Sequence, residues 1–174
     1  MRNKPIPLPS QKKLQELFDY RNGELYWKER IHSSIDLSKP AGFIGYGGYR
    51  SIRIEGKDYR AHRLVWKYHY GKDPKEFIDH IDGNKINNNI ENLREATNQQ
   101  ILFNTGPSKN NKLGIKGVSK NGNKYVARIE INGKSKYLGM FNTIEEARLA
   151  REEAEIKFFK EFSVLNRDDN KLYR

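Results

Sequence analysis

Residues Asp79 to Asn104 read DHIDGNKINNNIENLREATNQQILFN and hold seven asparagines, Asn84, Asn87, Asn88, Asn89, Asn92, Asn98 and Asn104. Two readings compete for this stretch. It is an irregular surface loop leading into a helix, or it is a site built from one histidine, one acid and well-placed amides. Locally, Phe77 to Lys85 reads as a strand, an Asp82-Gly83 turn and a return. From Glu91 a helix is expected to run to about Asn104, with Leu93, Ala96, Thr97 and Ile101 on one stripe. Asn87, Asn88 and Asn89 are expected as turn and cap residues.

Toward the N-terminus, Ser10 to Tyr20 opens on a serine N-cap and places Leu14, Leu17 and Phe18 at helical spacing. Asn22-Gly23 then turns into a strand. Residues 41–60 alternate at Tyr49, Ile52, Ile54 and Tyr59 around Glu55-Gly56, the pattern of a hairpin. The glycines of GFIGYGG match neither nucleotide-binding fingerprint and are read as hairpin glycines. Ala61 to Tyr70 reads as a helix ended by Gly71, and His62 and His69 on it are read as packing or hydrogen-bonding residues. His32 lies in a polar loop and is given no role.

Toward the C-terminus, residues 105–113 are polar and aperiodic and make the best linker in the chain. Ile115 to Phe141 then carries Asn-Gly turns at 121–122 and 132–133, which separate three strands. In the middle strand Tyr125, Ala127, Ile129 and Ile131 share one face, and Val126, Arg128 and Glu130 the other. Thr143 and Glu146 form a capping box ahead of an amphipathic helix whose apolar side runs from Ile144 to Phe159. The expected class is therefore α+β, with a C-terminal three-stranded antiparallel sheet packed on one helix and a free outer sheet face.

Charge narrows the function. The 174 residues carry 33 Lys+Arg against 22 Asp+Glu, a formal +11 that favours a polyanion such as nucleic acid. Lys109 to Lys136 is strongly basic, with Glu130 its single acid, whereas Glu145 to Glu161 carries more acids than bases. A basic sheet backed by a helix is thus expected to face phosphates. The basic stretch has no amphipathic helical stripe, and no apolar run exceeds three residues, so neither membrane-surface binding nor a spanning helix is expected. The first ten residues lack the apolar segment of a secretory signal. Cysteine is absent, which removes disulfides and thiolate metal sites and fits a reducing cytoplasm. Four histidines without cysteine give no convincing zinc spacing.

Cutting a DNA backbone needs a base near neutrality to deprotonate water and a cation to stabilise charge at phosphorus. Histidine suits the first task, and hard oxygen donors such as Asp or Asn suit Mg²⁺ or Mn²⁺ for the second. With those demands in view, IDHIDGNKINNNIENLR resembles the HNH, or ββα-metal, nucleases, especially phage homing endonucleases, and AHRLVWKYHYGKDP resembles the segment leading into that motif. The resemblance covers about Leu17 to Asn104, with the motif itself at about 77–104. It implies His80 as general base, Asp79 as metal ligand, Asn92 as the amide that braces the hairpin, and one divalent ion, Mg²⁺ or Mn²⁺. The family's second ligand position falls on Ile101, whose alkyl side chain donates no electron pair; Asn98 or Asn104 is the possible substitute. Arg94 is expected to contact a phosphate, and Asp82 to open a turn.

The segment from Ile115 to Asn166 resembles the APETALA/ethylene-response-factor DNA-binding domain, through KGV, YLGMF, EEA and the closing LN. That resemblance implies a sheet laid in a DNA groove, with Lys116, Ser119, Lys120, Lys124, Val126, Arg128, Glu130 and Tyr137 outward, and Lys136 also on the DNA. Arg128 and Glu130 would read bases, and the lysines phosphates. Ser119, Val126 and Tyr137 replace Arg or Trp of the plant domain, so the plant target is not inherited. The expected layout is a nuclease domain over 1–104, a linker over 105–113, a DNA-binding domain over 114–167 and a tail over 168–174. The expected activity is a free-standing, monomeric homing endonuclease that nicks double-stranded DNA. The rival is a DNA-binding protein disabled at Ile101; a restriction nuclease fits the appended sheet less well.

Overall fold

A computed structural model describes residues 6–163 and residue 165. The opening five residues, Asn166 and the expected tail 168–174 lie outside the described residues. The chain divides into two compact units, 1–96 and 97–174. Among the described residues no helix is long and apolar enough to cross a membrane.

The first unit opens with helix α1, Gln11–Leu17, whose N-cap Ser10 accepts from the Lys13 amide as the sequence predicts. Strands β1, Phe18–Arg21, and β2, Glu24–Trp27, pair across the Asn22-Gly23 turn. Strands β3, Phe43–Ile44, β4, Arg50–Ile54, and β5, Lys57–Arg60, form an antiparallel sheet in the order β3-β4-β5. Helix α2, Ala61–Tyr70, follows directly and ends at Gly71, whose φ of 70° is the left-handed conformation that glycine adopts without strain. Leu14, Phe18, Leu25, Ile52, Leu64 and Val65 are all but inaccessible and fuse these pieces into one core. Each such side chain stabilises the unit by about 1.5–3 kcal/mol through burial alone.

Strand β6, Phe77–His80, completes the unit with β7, Leu93–Ala96, in the register Phe77↔Ala96 to His80↔Leu93. Here the structure departs from the sequence expectation twice. The return strand is Leu93–Ala96, not the residues straight after the Asp82-Gly83 turn, and the expected helix from Glu91 is a 3-10 turn at Ile90–Asn92, then β7, then α3, Asn98–Phe103. Both Leu93 and Ala96 are buried, and their spacing of three imitates a helical stripe. Cross-strand pairing and the α3 N-cap at Thr97, with its capping box to Gln100, win over that spacing.

Helix α3 therefore belongs to the second unit, and the expected boundary at 105–113 gives way to one after Ala96. Two contacts tie it there. Phe103 stacks on Phe159 at 3.9 Å, and Lys116 Nζ donates to the Leu102 and Thr105 carbonyls at the helix C-terminus, at 2.7 and 2.8 Å. Strands β8, Val118–Asn121, β9, Lys124–Ile131, and β10, Lys134–Phe141, then form the antiparallel sheet in the order β10-β9-β8, with a bulge at Leu138. Helix α4, Ile144–Phe159, starts at the expected Thr143–Glu146 capping box. Its buried face is narrower than expected: Ala147, Arg151, Ala154, Glu155 and Phe159 point inward, whereas Leu149 and Ile156 are exposed. Small alanines let the helix approach Ala127 and Ile129 of β9 closely, and the Arg151–Glu155 pair at 2.9 Å is buried with them.

Candidate active site

Strand β6 delivers Asp79 and His80 side by side, and both are buried. Neighbouring strand residues point to opposite faces, so each meets a different partner. Asp79 lies opposite Arg94 on β7 and pairs with it, Asp79 Oδ2 accepting from Arg94 Nη2 at 2.8 Å and from Nε at 2.9 Å. His80 packs edge-to-face on His62 of α2 with ring centres 5.1 Å apart, and lies 6.0 Å from the Tyr49 ring.

Between the two strands the chain spans residues 81–92 with little regular structure, and amides hold it in shape. Asn92 Oδ1 accepts from the Asp82 amide at 3.0 Å; Asn92 Nδ2 donates to Asp82 Oδ1 and to the Asn87 carbonyl at 2.9 and 2.8 Å. Asp82 Oδ2 takes a further bond from Asn87 Nδ2 at 2.7 Å, and Asp82 Oδ1 one from the Asn84 amide at 2.8 Å. Asn89 caps the 3-10 turn, and Tyr20 Oη accepts from the Ile90 amide at 2.9 Å. Asn92 thus braces the loop, and Asp82 is the loop's hub.

The amide on the histidine is a different one. Asn88, only 1% exposed, turns Oδ1 to His80 Nε2 at 3.0 Å. A carbonyl there needs a donor, so Nε2 carries the proton and the basic lone pair lies on Nδ1. Asn88 Nδ2 is buried without a hydrogen-bond partner in the structure, at a cost of about 1–3 kcal/mol. The sequence reading made Asn88 one of three turn and cap residues; only loop geometry reveals which of the three turns inward.

His62 is the other residue that sequence reasoning left as packing. Burial, then repulsion from His80, Arg63 and Arg60, pushes its pKa down to about 3, so it presents a neutral wall to His80 at any ordinary pH. Cations stand nearby: Arg60 and Lys85 lie 5.3 and 5.0 Å from the Tyr49 ring centre. The setting is a buried histidine among basic side chains, which suits a phosphodiester.

The comparisons with known proteins agree with this geometry. The family model described as HNH endonuclease matches residues 59–101. An uncharacterized HNH endonuclease of Acanthamoeba polyphaga mimivirus, L560, is 35% identical over 135 residues, which cover 76% of this chain and 70% of the viral protein. The chain belongs to the HNH endonuclease family. Protein 3.8 of Escherichia phage T7 is 43% identical over 61 residues, 34% of this chain and half of the phage protein. A prophage protein of Bacillus subtilis, YosQ, named as a candidate HNH homing endonuclease, is 45% identical over 51 residues, 29% of this chain and 30% of its own. No solved structure matches the chain. As a member of this family the chain is a nuclease whose substrate is DNA, and HNH nucleases generally use a divalent metal ion.

The residues present fit such an ion in one particular way. Among the described residues no three His, Cys, Asp or Glu side chains gather as a cage. Asp79 is one hard carboxylate, already oriented by Arg94. A small divalent ion bound by one or two carboxylates, waters and substrate phosphate matches that donor set. Ile101 is half-buried on α3 and offers no donor; Asn98 is exposed at the start of α3, and Asn104 is buried at its C-cap.

The C-terminal sheet distributes its cations differently from the sequence expectation. Register pairs Asn121 with Lys124, Ser119 with Val126, Val126 with Met140, Arg128 with Tyr137 and Glu130 with Ser135, which makes these the outer face. Lys120 pairs with Tyr125 and Lys136 with Ile129, on the helix side, and Lys136 Nζ lies 4.9 Å from the Phe158 ring. Lys116 is occupied at the end of α3. Adjacent residues such as Ser119 and Lys120 cannot share a sheet face, and a count of basic residues along the sequence conceals this. The outer face keeps Lys124, Arg128, Glu130 and Tyr137, around a buried Val126 and a half-exposed Met140.

Proposed function

We propose that this nuclease is a homing-type endonuclease that nicks double-stranded DNA at a long, tolerant site, with His80 as general base and one Mg²⁺ or Mn²⁺ ion at Asp79. The observation that carries the reading is the buried His80–Asn88 bond, which keeps the base in one tautomer, next in sequence to a carboxylate that Arg94 orients. His80 Nδ1 takes a proton from water, the resulting hydroxide bonds to phosphorus, and the bridging P–O bond breaks, its oxygen leaving with a proton from solvent. Neutral His62 leaves His80 as the ring that accepts the proton. Arg94 holds Asp79 in place. The ion would be held by Asp79 with water and phosphate completing its shell, and would stabilise charge on the phosphate oxygens.

In the same reading the C-terminal unit binds the duplex with its outer sheet face, in the manner of the ethylene-response-factor domain. Arg128 is suited to guanine and Glu130 to cytosine, with Lys124 on phosphate; the exposed Tyr137 and Met140 favour thymine methyl groups. Joining two modest binders in one chain raises the effective concentration of each on a long site.

The test is nicking of supercoiled DNA carrying candidate sites, with Mg²⁺ or Mn²⁺, by this protein, His80→Ala and Ile101→Asn. Nicking by the unaltered chain, with at least about a hundredfold loss in His80→Ala, is the expected result. Nicking by Ile101→Asn alone would show that position 101 disables the enzyme.

A further inference from the structure

Strand β3 and the turn after it project a set of apolar side chains that the described residues leave uncovered. Phe43, Ile44 and Tyr46 are 47%, 53% and 94% exposed on six consecutive residues, Phe43 to Gly48, of a chain otherwise rich in charge. The segment is nevertheless a built turn. Gly45 donates to the Tyr49 carbonyl at 2.9 Å and Gly48 to that of Gly45 at 3.1 Å, while Gly47 and Gly48 take φ of 81° and 80°. Positive φ at two successive residues requires glycine, so this sequence fixes the turn with Tyr46 at its tip.

The turn is fastened to the active-site loop. Lys85, within the asparagine-rich stretch, donates from Nζ to the Gly47 carbonyl at 3.0 Å and lies 5.0 Å from the Tyr49 ring centre. The other side of that connection is Tyr49 itself, 6.0 Å from the His80 ring. Tyr46 is three residues from Tyr49, a contour of at most about 11 Å. Successive nucleotides of one strand advance about 3.4 Å along the duplex axis. With the 6.0 Å from Tyr49 to His80 added, a side chain tied this closely reaches bases within about five nucleotides of the cut phosphate.

We propose that the Phe43–Gly48 turn is a wedge that stacks Tyr46 on a base of duplex DNA beside the scissile phosphate, with Phe43 and Ile44 against the opened step. The inference rests on the DNA-nicking reading above. The occupant is duplex DNA, because Arg60 and Lys85 flank Tyr49 as the turn meets His80, and cations there match a phosphate strand. An exposed aromatic ring stacks on any base and partly unstacks a flexible step, a device that bends a duplex toward the protein surface. It would let a nuclease with tolerant base readout select sites that open easily.

The experiment uses the full chain with His80→Ala, so that DNA stays intact, on duplexes carrying 2-aminopurine at successive positions around the mapped nick. Fluorescence is expected to rise severalfold at one or two positions within about five nucleotides of the nick. Adding Tyr46→Ala should abolish that rise and weaken binding by about tenfold or less, and Tyr46→Phe should keep both. With His80 intact, Tyr46→Ala should nick perfect duplex about tenfold more slowly and recover on duplex mismatched at that step. Binding and nicking without any rise, or without rescue by the mismatch, would overturn the wedge and leave the nuclease reading in place. Failure of both the unaltered chain and Ile101→Asn to nick under any ion would overturn the nicking reading, and the wedge with it. A dimer in sedimentation that Tyr46→Ala dissociates would assign the turn to a second copy of the chain and overturn the wedge.

Discussion

The nuclease hairpin and the C-terminal sheet are both antiparallel strands followed by a helix, and the two differ in what joins the strands. In the C-terminal sheet, Gly122-Asn123 and Asn132-Gly133 close each pair with two residues, and the strands carry the exposed residues expected to meet DNA. In the nuclease hairpin, twelve residues, 81–92, lie between β6 and β7, and the polar groups are buried: Asp79, His80 and Asn88. A two-residue turn fixes register and little else. A long loop stitched by its own amides carries one of them, Asn88, to the histidine. The first ribbon presents a surface, and the second encloses a base.

The largest expected effect tests whether the two ribbons stand independently. Gly117 has φ of 74°, and a Cβ there would meet the Arg128 carbonyl oxygen at 2.2 Å. Gly117→Ala should cost the second unit about 3 kcal/mol or more, from overpacking and backbone strain together. Calorimetry should show one transition moved down and the other kept. A uniform loss across both would erase the distinction between them.

Next in size is Asn88. Asn88→Ala removes the carbonyl that selects the His80 tautomer, and nicking should slow by about 10–100-fold while DNA affinity stays the same. An unchanged rate with a lowered melting temperature would reduce Asn88 to packing. Its role was not legible in the sequence, where Asn87, Asn88 and Asn89 are equivalent letters. By contrast the Ser10 cap, the Asn22-Gly23 and Asn132-Gly133 turns, the Gly71 stop and the Thr143–Glu146 box were legible, because each is a local rule satisfied by adjacent residues; the expected Asn121-Gly122 turn lies one residue on, at Gly122-Asn123. The β7 strand was misread since burial of Leu93 and Ala96 is set by β6 and the core, which no window around residue 93 contains. The same blindness to pairing put Lys120 on the outer face, whereas Lys120 and Lys136 both stand on the helix side.

A third effect is confined to acid. His62 has its folded pKa lowered from 6.5 to about 3, so between those values the unfolded chain binds the extra proton. Stability contributed by neutral His62 is complete above pH 6.5 and is lost progressively as pH falls toward 3, by on the order of a few kcal/mol. His62→Leu should flatten that part of the stability–pH curve measured by denaturant titration; an unchanged slope would place the titration elsewhere. The smallest expected effect is on the outer face: Arg128→Ala should weaken DNA binding by about 1–3 kcal/mol with base preference relaxed. Loss of affinity without any loss of preference would make Arg128 a phosphate contact.

The bond from Tyr20 to the active-site loop bears on how much of the chain this nuclease needs. Tyr20 holds the Ile90 amide from seventy positions away, and Leu14, Phe18, Leu25 and Ile52 supply the core against which α2 and β6 close. The family signature at 59–101 begins inside the β4–β5 hairpin and stops inside α3, so it marks shared chemistry without marking a piece that folds. Grafted alone into another protein, it keeps the loop's own amide bonds but loses Tyr20 and the core that the loop closes against. Recombination that moves this activity must therefore carry the upstream hairpins and helix with it, or land where a host chain already provides their equivalent.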